Sequence, residues 1–137
     1  MKKIIACVLA IICMIGLIGC GSPKNNASRV IGYSALYDED LINVAFNVVE
    51  KEFAKNFKGC TLKELRYDDE VENRFADEMM KYADEEGREL IIVLSIFDTD
   101  SKGGDGSLNP NETYTDWQWH LVRTKDKKGW ELIDWGY

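Results

Sequence analysis

Beyond position 20 the chain is nearly devoid of sulfur nucleophiles and imidazole, with one cysteine, Cys60, and one histidine, His120. A lone cysteine excludes an intrachain disulfide framework. No Gly-x-Ser-x-Gly segment occurs, so the nucleophile elbow of an acyl-transfer triad is excluded as well. Positive charge is also short: 17 Lys and Arg stand against 24 Asp and Glu, a formal charge of −7. A surface of that sign repels phosphates and argues against nucleic acid or an anionic membrane face as a partner. After residue 19 there is no long apolar run, no internal repeat and no second linker, which leaves material for one domain.

What is present begins with an address. Lys2 and Lys3 precede an apolar or small-residue run from Ile4 to Gly19, the charged start and apolar core of a secretory signal. The run is short of the about 20 residues a membrane span needs, and no basic stop-transfer cluster follows it at once. It ends in Leu17-Ile18-Gly19-Cys20, which resembles the bacterial lipobox. Gly19 admits the peptidase, and the thiolate of Cys20 is the nucleophile to which a diacylglycerol is transferred. Each buried acyl methylene contributes about 0.8 kcal/mol, so two chains hold stably where one is marginal.

The expected organisation is a signal peptide over 1–19, lipidated Cys20 with a flexible tether over 20–30, and one α+β domain over 31–137. The chain is then exported and lipid-anchored to the outer face of the cell membrane, or to the periplasmic or outer-membrane side in a cell with two membranes. Loss of Lys2 and Lys3 with the signal leaves 15 basic residues against 24 acids, a formal charge of −9.

Apolar spacings of three and four at Ile42, Ala45, Phe46, Val49, Phe53 and Phe57 predict a helix from about Asp38 to Lys58, with Asp38 as cap and Gly59 past its end. Cys60 to Tyr67 reads as a strand whose alternation changes phase between Leu62 and Leu65, as a bulge requires. A second helix is expected from Asp69 to Glu85, with capping-box spacing between Asp69 and Glu72 and a stripe of Val71, Phe75, Met79 and Tyr82. Leu90 to Phe97 is a strand covered on both faces. A Gly-rich loop, Asp98 to Glu112, leads to a hairpin of Thr113 to Thr124 and Trp130 to Tyr137.

The hairpin register follows from facial consistency. One face pairs Arg123 with Glu131, Leu121 with Ile133, Trp119 with Trp135 and Trp117 with Tyr137. The other pairs Val122 with Leu132, His120 with Asp134 and Gln118 with Gly136.

Helix, strand, helix and three strands, in the order α-β-α-β-β-β, resemble the cone-shaped nuclear transport factor 2-like fold of the cystatin-like group, in which a mainly antiparallel curved sheet wraps the long first helix. Gly59-Cys60-Thr61-Leu62, Gly103-Gly104-Asp105-Gly106-Ser107-Leu108-Asn109, Trp117-Gln118-Trp119 and Asp134-Trp135-Gly136-Tyr137 are similar to segments of an uncharacterised family of bacterial lipoproteins. That likeness implies an extracytoplasmic domain and no particular reaction.

Three candidate sites follow. His120 with Asp134 across the strand pair has the composition of a general-base dyad; the competing reading is a satisfied polar pair. Asp98, Asp100, Gly103 and Asp105 have part of the spacing of a calcium loop. Lys102 and Asn109, however, occupy positions that need oxygen ligands and a bidentate Glu, so a turn-rich loop without metal is expected. Tyr114, Trp117, Trp119 and Trp135 concentrate aromatic area on the last two strands, as core or as a binding surface. Cys60 is expected to be a buried structural thiol. The expected function is non-catalytic binding of a protein partner or envelope component, without cofactor. The alternatives are an acid–base enzyme on His120 and Asp134, or a self-associating homodimer.

Overall fold

The computed structural model describes residues 24–127 and 129–137, so the expected signal segment and Cys20 lie outside the described residues. The first helix, α1 (Glu39–Asn56), starts where the Asp38 carboxylate accepts the Leu41 N–H at 2.8 Å, satisfying one of the donors that a helix start leaves open. Ile42, Ala45, Phe46, Val49 and Phe53 are buried along one stripe. Fully burying each large apolar side chain contributes about 1.5–3 kcal/mol, so tertiary packing rather than propensity holds this helix. Gly59, at φ 77°, then turns the chain into the sheet.

A strand precedes α1. From Lys24 onward the stretch expected to be a flexible tether is β1 (Lys24–Ile31), which corrects the tether and moves the start of the folded part ahead of residue 31. It pairs in parallel with β2 (Thr61–Tyr67), and α1 is the crossover that parallel neighbours require. Arg29 ties this edge to the helix: its guanidinium donates to Asn43, Asn47 and Glu50 and lies over the Phe46 ring.

The remaining elements are α2 (Asp69–Glu86), β3 (Glu89–Asp98), β4 (Thr113–Arg123) and β5 (Glu131–Gly136). The expected six elements thus follow β1 in order. The strands lie in sequence order across one mixed sheet, antiparallel everywhere except between β1 and β2. The phase change in β2 is a bulge between Leu62 and Glu64, and it lets Leu62 and Leu65 both be buried.

Strand alternation separates two faces. Phe97 of β3 and Trp119 of β4 meet Phe53 of α1 and Phe57 at its C-terminal cap. On the reverse, Asp116 and His120 of β4 meet Arg74 and Glu78 of α2. The helices therefore cover opposite faces, and β3 is buried from Leu90 to Ser95 between them. Its burial needs no second copy of the chain.

Two local expectations are corrected by non-local partners. Asp68, not Asp69, caps α2 by accepting the Val71 N–H. Burial pushes the Asp68 carboxyl up, but hydrogen bonds from Arg66 and the Val71 N–H outweigh that and hold it below its ordinary value. Glu72 makes no capping box; it turns inward and accepts from the Ser34 hydroxyl, the Ala35 N–H and the Tyr67 hydroxyl at 2.7–2.9 Å. The hairpin register holds for Gln118 with Gly136, Trp119 with Trp135 and His120 with Asp134, then shifts so that Leu121 faces Leu132 and Val122 faces Glu131. Ile133 becomes the extra, half-exposed residue. The shift carries Trp130 inward, where its indole N–H donates to the Leu41 carbonyl and its ring meets the edge of Tyr37. Arg123 pairs with Glu89 of β3 rather than with Glu131.

Register also fixes what shares each end of the sheet. Lys24, Thr61, Asp98 and Thr113 lie side by side in successive strands, and the end of β5, opposite Gln118, points the same way.

Candidate functional site

The aromatic residues of the hairpin divide into core and surface. Trp119 is fully buried and donates its indole N–H to the Ser95 hydroxyl at 2.8 Å, so its part is structural. The β4 strand carries a bulge opposite Ile96, with Asp116 at φ 55°. An extra residue there flips the phase of the strand, so Tyr114 and Trp117 face the same side. Tyr114 stacks on Phe97 at 5.1 Å and meets Trp117 edge-on at 5.6 Å. Trp117 in turn meets Tyr137 at 5.2 Å, and Phe57 meets Trp135 at 5.9 Å. Trp135 is 42% exposed and Tyr137 73% exposed.

Beside this cluster lies a recess of about 180 Å³ lined by Phe57, Leu108, Trp117 and Trp135, with Asn56, Lys58, Asp105 and Ser107 as its polar groups. Pockets for drug-sized ligands run from about 300 to 1,000 Å³, so this one takes a single ring or side chain. The Trp117 Nε1–H is buried and meets no acceptor among the described residues, and an unpaired buried donor costs about 1–3 kcal/mol. Phe57, Leu108 and Tyr137 complete the cluster. Phe57 reads in sequence as one more apolar stripe position, and Leu108 joins only because the loop folds back.

That loop supplies the other wall. Asp100 accepts the Lys102 and Gly104 N–H groups, and the Gly104 bond leads in holding its carboxyl below the ordinary value. Asp105 is lowered chiefly by the Ser107 hydroxyl, and Asp98 accepts from Thr113. Gly103 is required: at φ 69°, a Cβ would stand 2.0 Å from the Leu108 carbonyl oxygen. The acids are spent on turns rather than converging, and among the described residues no group of three or more His, Cys, Asp or Glu is placed to hold a metal. Cys60 lies at the base of the recess, buried, with its thiol pushed up to about 11 by burial first and then by Asp100 and Asp105. It is protonated and unreactive at neutral pH.

The backbone brings His120 and Asp134 opposite one another, but the side chains do not form the dyad. The Nε2 atom of His120 lies 3.0 Å from Gln118 Oε1, and Nδ1 lies 3.7 Å from Glu78. Asp134 is exposed and accepts the N–H of its neighbour Trp135. The polar-pair reading describes His120, with Gln118 and Glu78 as partners in place of Asp134. A second cavity of about 370 Å³, lined by Leu36, Tyr37, Met79, Met80 and Leu90, lies at the opposite end of the sheet, and His120 lines neither cavity.

The site therefore belongs to a five-stranded mixed sheet with one helix on each face. Comparison with protein-family models, with curated proteins and with solved structures finds no match.

Proposed function

We propose that this chain is an exported lipoprotein, anchored through diacylglycerol on Cys20, whose domain binds an envelope component without catalysing a reaction. The observation that carries the binding reading is the aromatic cluster of Tyr114, Trp117, Trp135 and Tyr137, which leaves two large rings exposed beside a recess. Exposed aromatic area of this kind is costly to leave in water and marks interaction surfaces. The acid–base alternative loses support because His120 is turned to Gln118 and Glu78, away from either cavity. Self-association loses its motive because both faces of β3 are covered within one chain.

The lipobox-like Leu17-Ile18-Gly19-Cys20 supports the anchor. Among the described residues no helix is long and apolar enough to cross a membrane. The cone-shaped nuclear transport factor 2-like assignment is part of this proposal; its support is the α-β-α-β-β-β order after β1 and the long first helix packed on the sheet.

Oxidative footprinting tests the binding reading. Trp135 and Tyr137 should be labelled in the purified chain and protected in intact cells. Equal labelling in both settings would remove the proposed occupant.

A further inference from the structure

We infer that the aromatic end of the domain rests on the interfacial layer of the membrane that carries it, so that the occupant of the Trp135 surface is the lipid headgroup region. The inference rests on the anchor reading above and on how little chain separates the anchor from the sheet. Only residues 21–23 lie between Cys20 and Lys24, the first residue of β1. Four residue steps span at most roughly 14 Å. The headgroup layer of one leaflet is itself about 5–8 Å deep. A domain on so short a leash cannot turn its far end to the bilayer.

The end held down is the aromatic one. Lys24 pairs with Thr61, next to Cys60 in the recess, and the same row continues through Asp98 to Thr113, one residue from Tyr114. Tyr114 and Trp117 both contact Tyr137. From β1 to β5 the sheet is only about 19 Å wide, so a modest tilt brings the exposed Trp135 and Tyr137 rings to the surface. Tryptophan and tyrosine favour this layer because each has an apolar body and a polar tip.

Charge alone does not draw the aromatic end to the bilayer, because Lys58 and Lys102 stand there among Asp98, Asp100, Asp105, Glu112 and Asp116. The exposed acids Glu70, Asp77, Glu78, Asp84 and Glu85 spread along α2 on the other face of the sheet. An anionic leaflet repels that helix face as well, so the contact at the aromatic end rests on the short leash and on the exposed rings rather than on charge.

The test uses the full chain purified from membranes and reconstituted into vesicles of phosphatidylglycerol and phosphatidylethanolamine with brominated acyl chains. Trp119 and Trp130 are buried and Trp117 half-buried, which makes Trp135 the accessible emitter. Bromine should quench the emission and the vesicle should shield it from aqueous iodide, with both effects lost in Trp135→Phe. Should Cys20 carry lipid while bromine has no effect and iodide quenches as in detergent, the docking is overturned. The anchor would then stand, with the recess left for a protein or glycan. A chain without lipid on Cys20 overturns the anchor reading and this inference together.

Discussion

Replacing Trp130 with Ala should unfold the domain far more readily than replacing Trp135 with Ala, although both rings lie at the same strand. Trp130 is 6% exposed, bonds the Leu41 carbonyl at 2.9 Å, meets Tyr37 at 5.3 Å and lies under the Arg123 guanidinium. Truncating a buried Trp costs about 3–5 kcal/mol through lost transfer energy and the cavity left behind. Trp135 keeps 42% of its surface in water, and water refills the space, so scaling the burial value by the covered fraction gives about 0.9–1.7 kcal/mol. Trp130→Phe, which keeps most of the packing and loses the donor, should cost about 0.5–1.5 kcal/mol for the hydrogen bond, plus the smaller ring's lost contacts. Urea denaturation reads these directly. With a slope near 2 kcal/mol/M, the Trp130→Ala midpoint should fall by about 2 M with the slope unchanged. A fall no larger than that of Trp135→Ala would refute the claim that Trp130 latches β5 onto α1.

Two further outcomes test the loop and the buried thiol. Gly103→Ala places a Cβ against the Leu108 carbonyl, whereas at Gly106 nothing lies within 4 Å and only the positive φ is at stake. Gly103→Ala should therefore lower the melting temperature more than Gly106→Ala, and equal shifts would deny the fold-back of the loop. Cys60 loses its proton at about 11 when folded, against 9.0 ordinarily. The unfolded chain ionises first as pH rises, so the contribution of the buried thiol is complete below pH 9 and is lost as pH climbs toward 11. Cys60→Ala should flatten the fall in stability just above pH 9, and an unchanged slope would place the thiol in water.

Local pattern was sufficient wherever one periodicity decided the outcome. The α1 stripe from Ile42 to Phe53, the bulge implied by Leu62 and Leu65, and the doubly covered β3 could all be read from residue spacing. β1 could not, because Asn25, Asn26, Ser28 and Arg29 present no apolar alternation. Its pairing comes from β2, and Arg29 finds its partners on α1. Glu72 looked like a capping residue because Ser34 and Tyr67, which hold it, are distant in sequence or on another element. The hairpin register was legible up to His120 and lost beyond it, since the shift serves the docking of Trp130 on Leu41. At the candidate sites, backbone pairing placed His120 opposite Asp134 but could not say where the side chains would turn. The aromatic concentration was visible, whereas its division into buried Trp119 and exposed Trp135 was not.

The proposed anchor at Cys20 underlies the proposed location, orientation and contact with the bilayer. Mass spectrometry of the N-terminal peptide from the chain purified out of membranes tests it most directly. The peptide should begin at Cys20 and carry the mass of a thioether-linked diacylglycerol; a chain still beginning at Met1, or a Cys20 with a free thiol, would exclude the anchor.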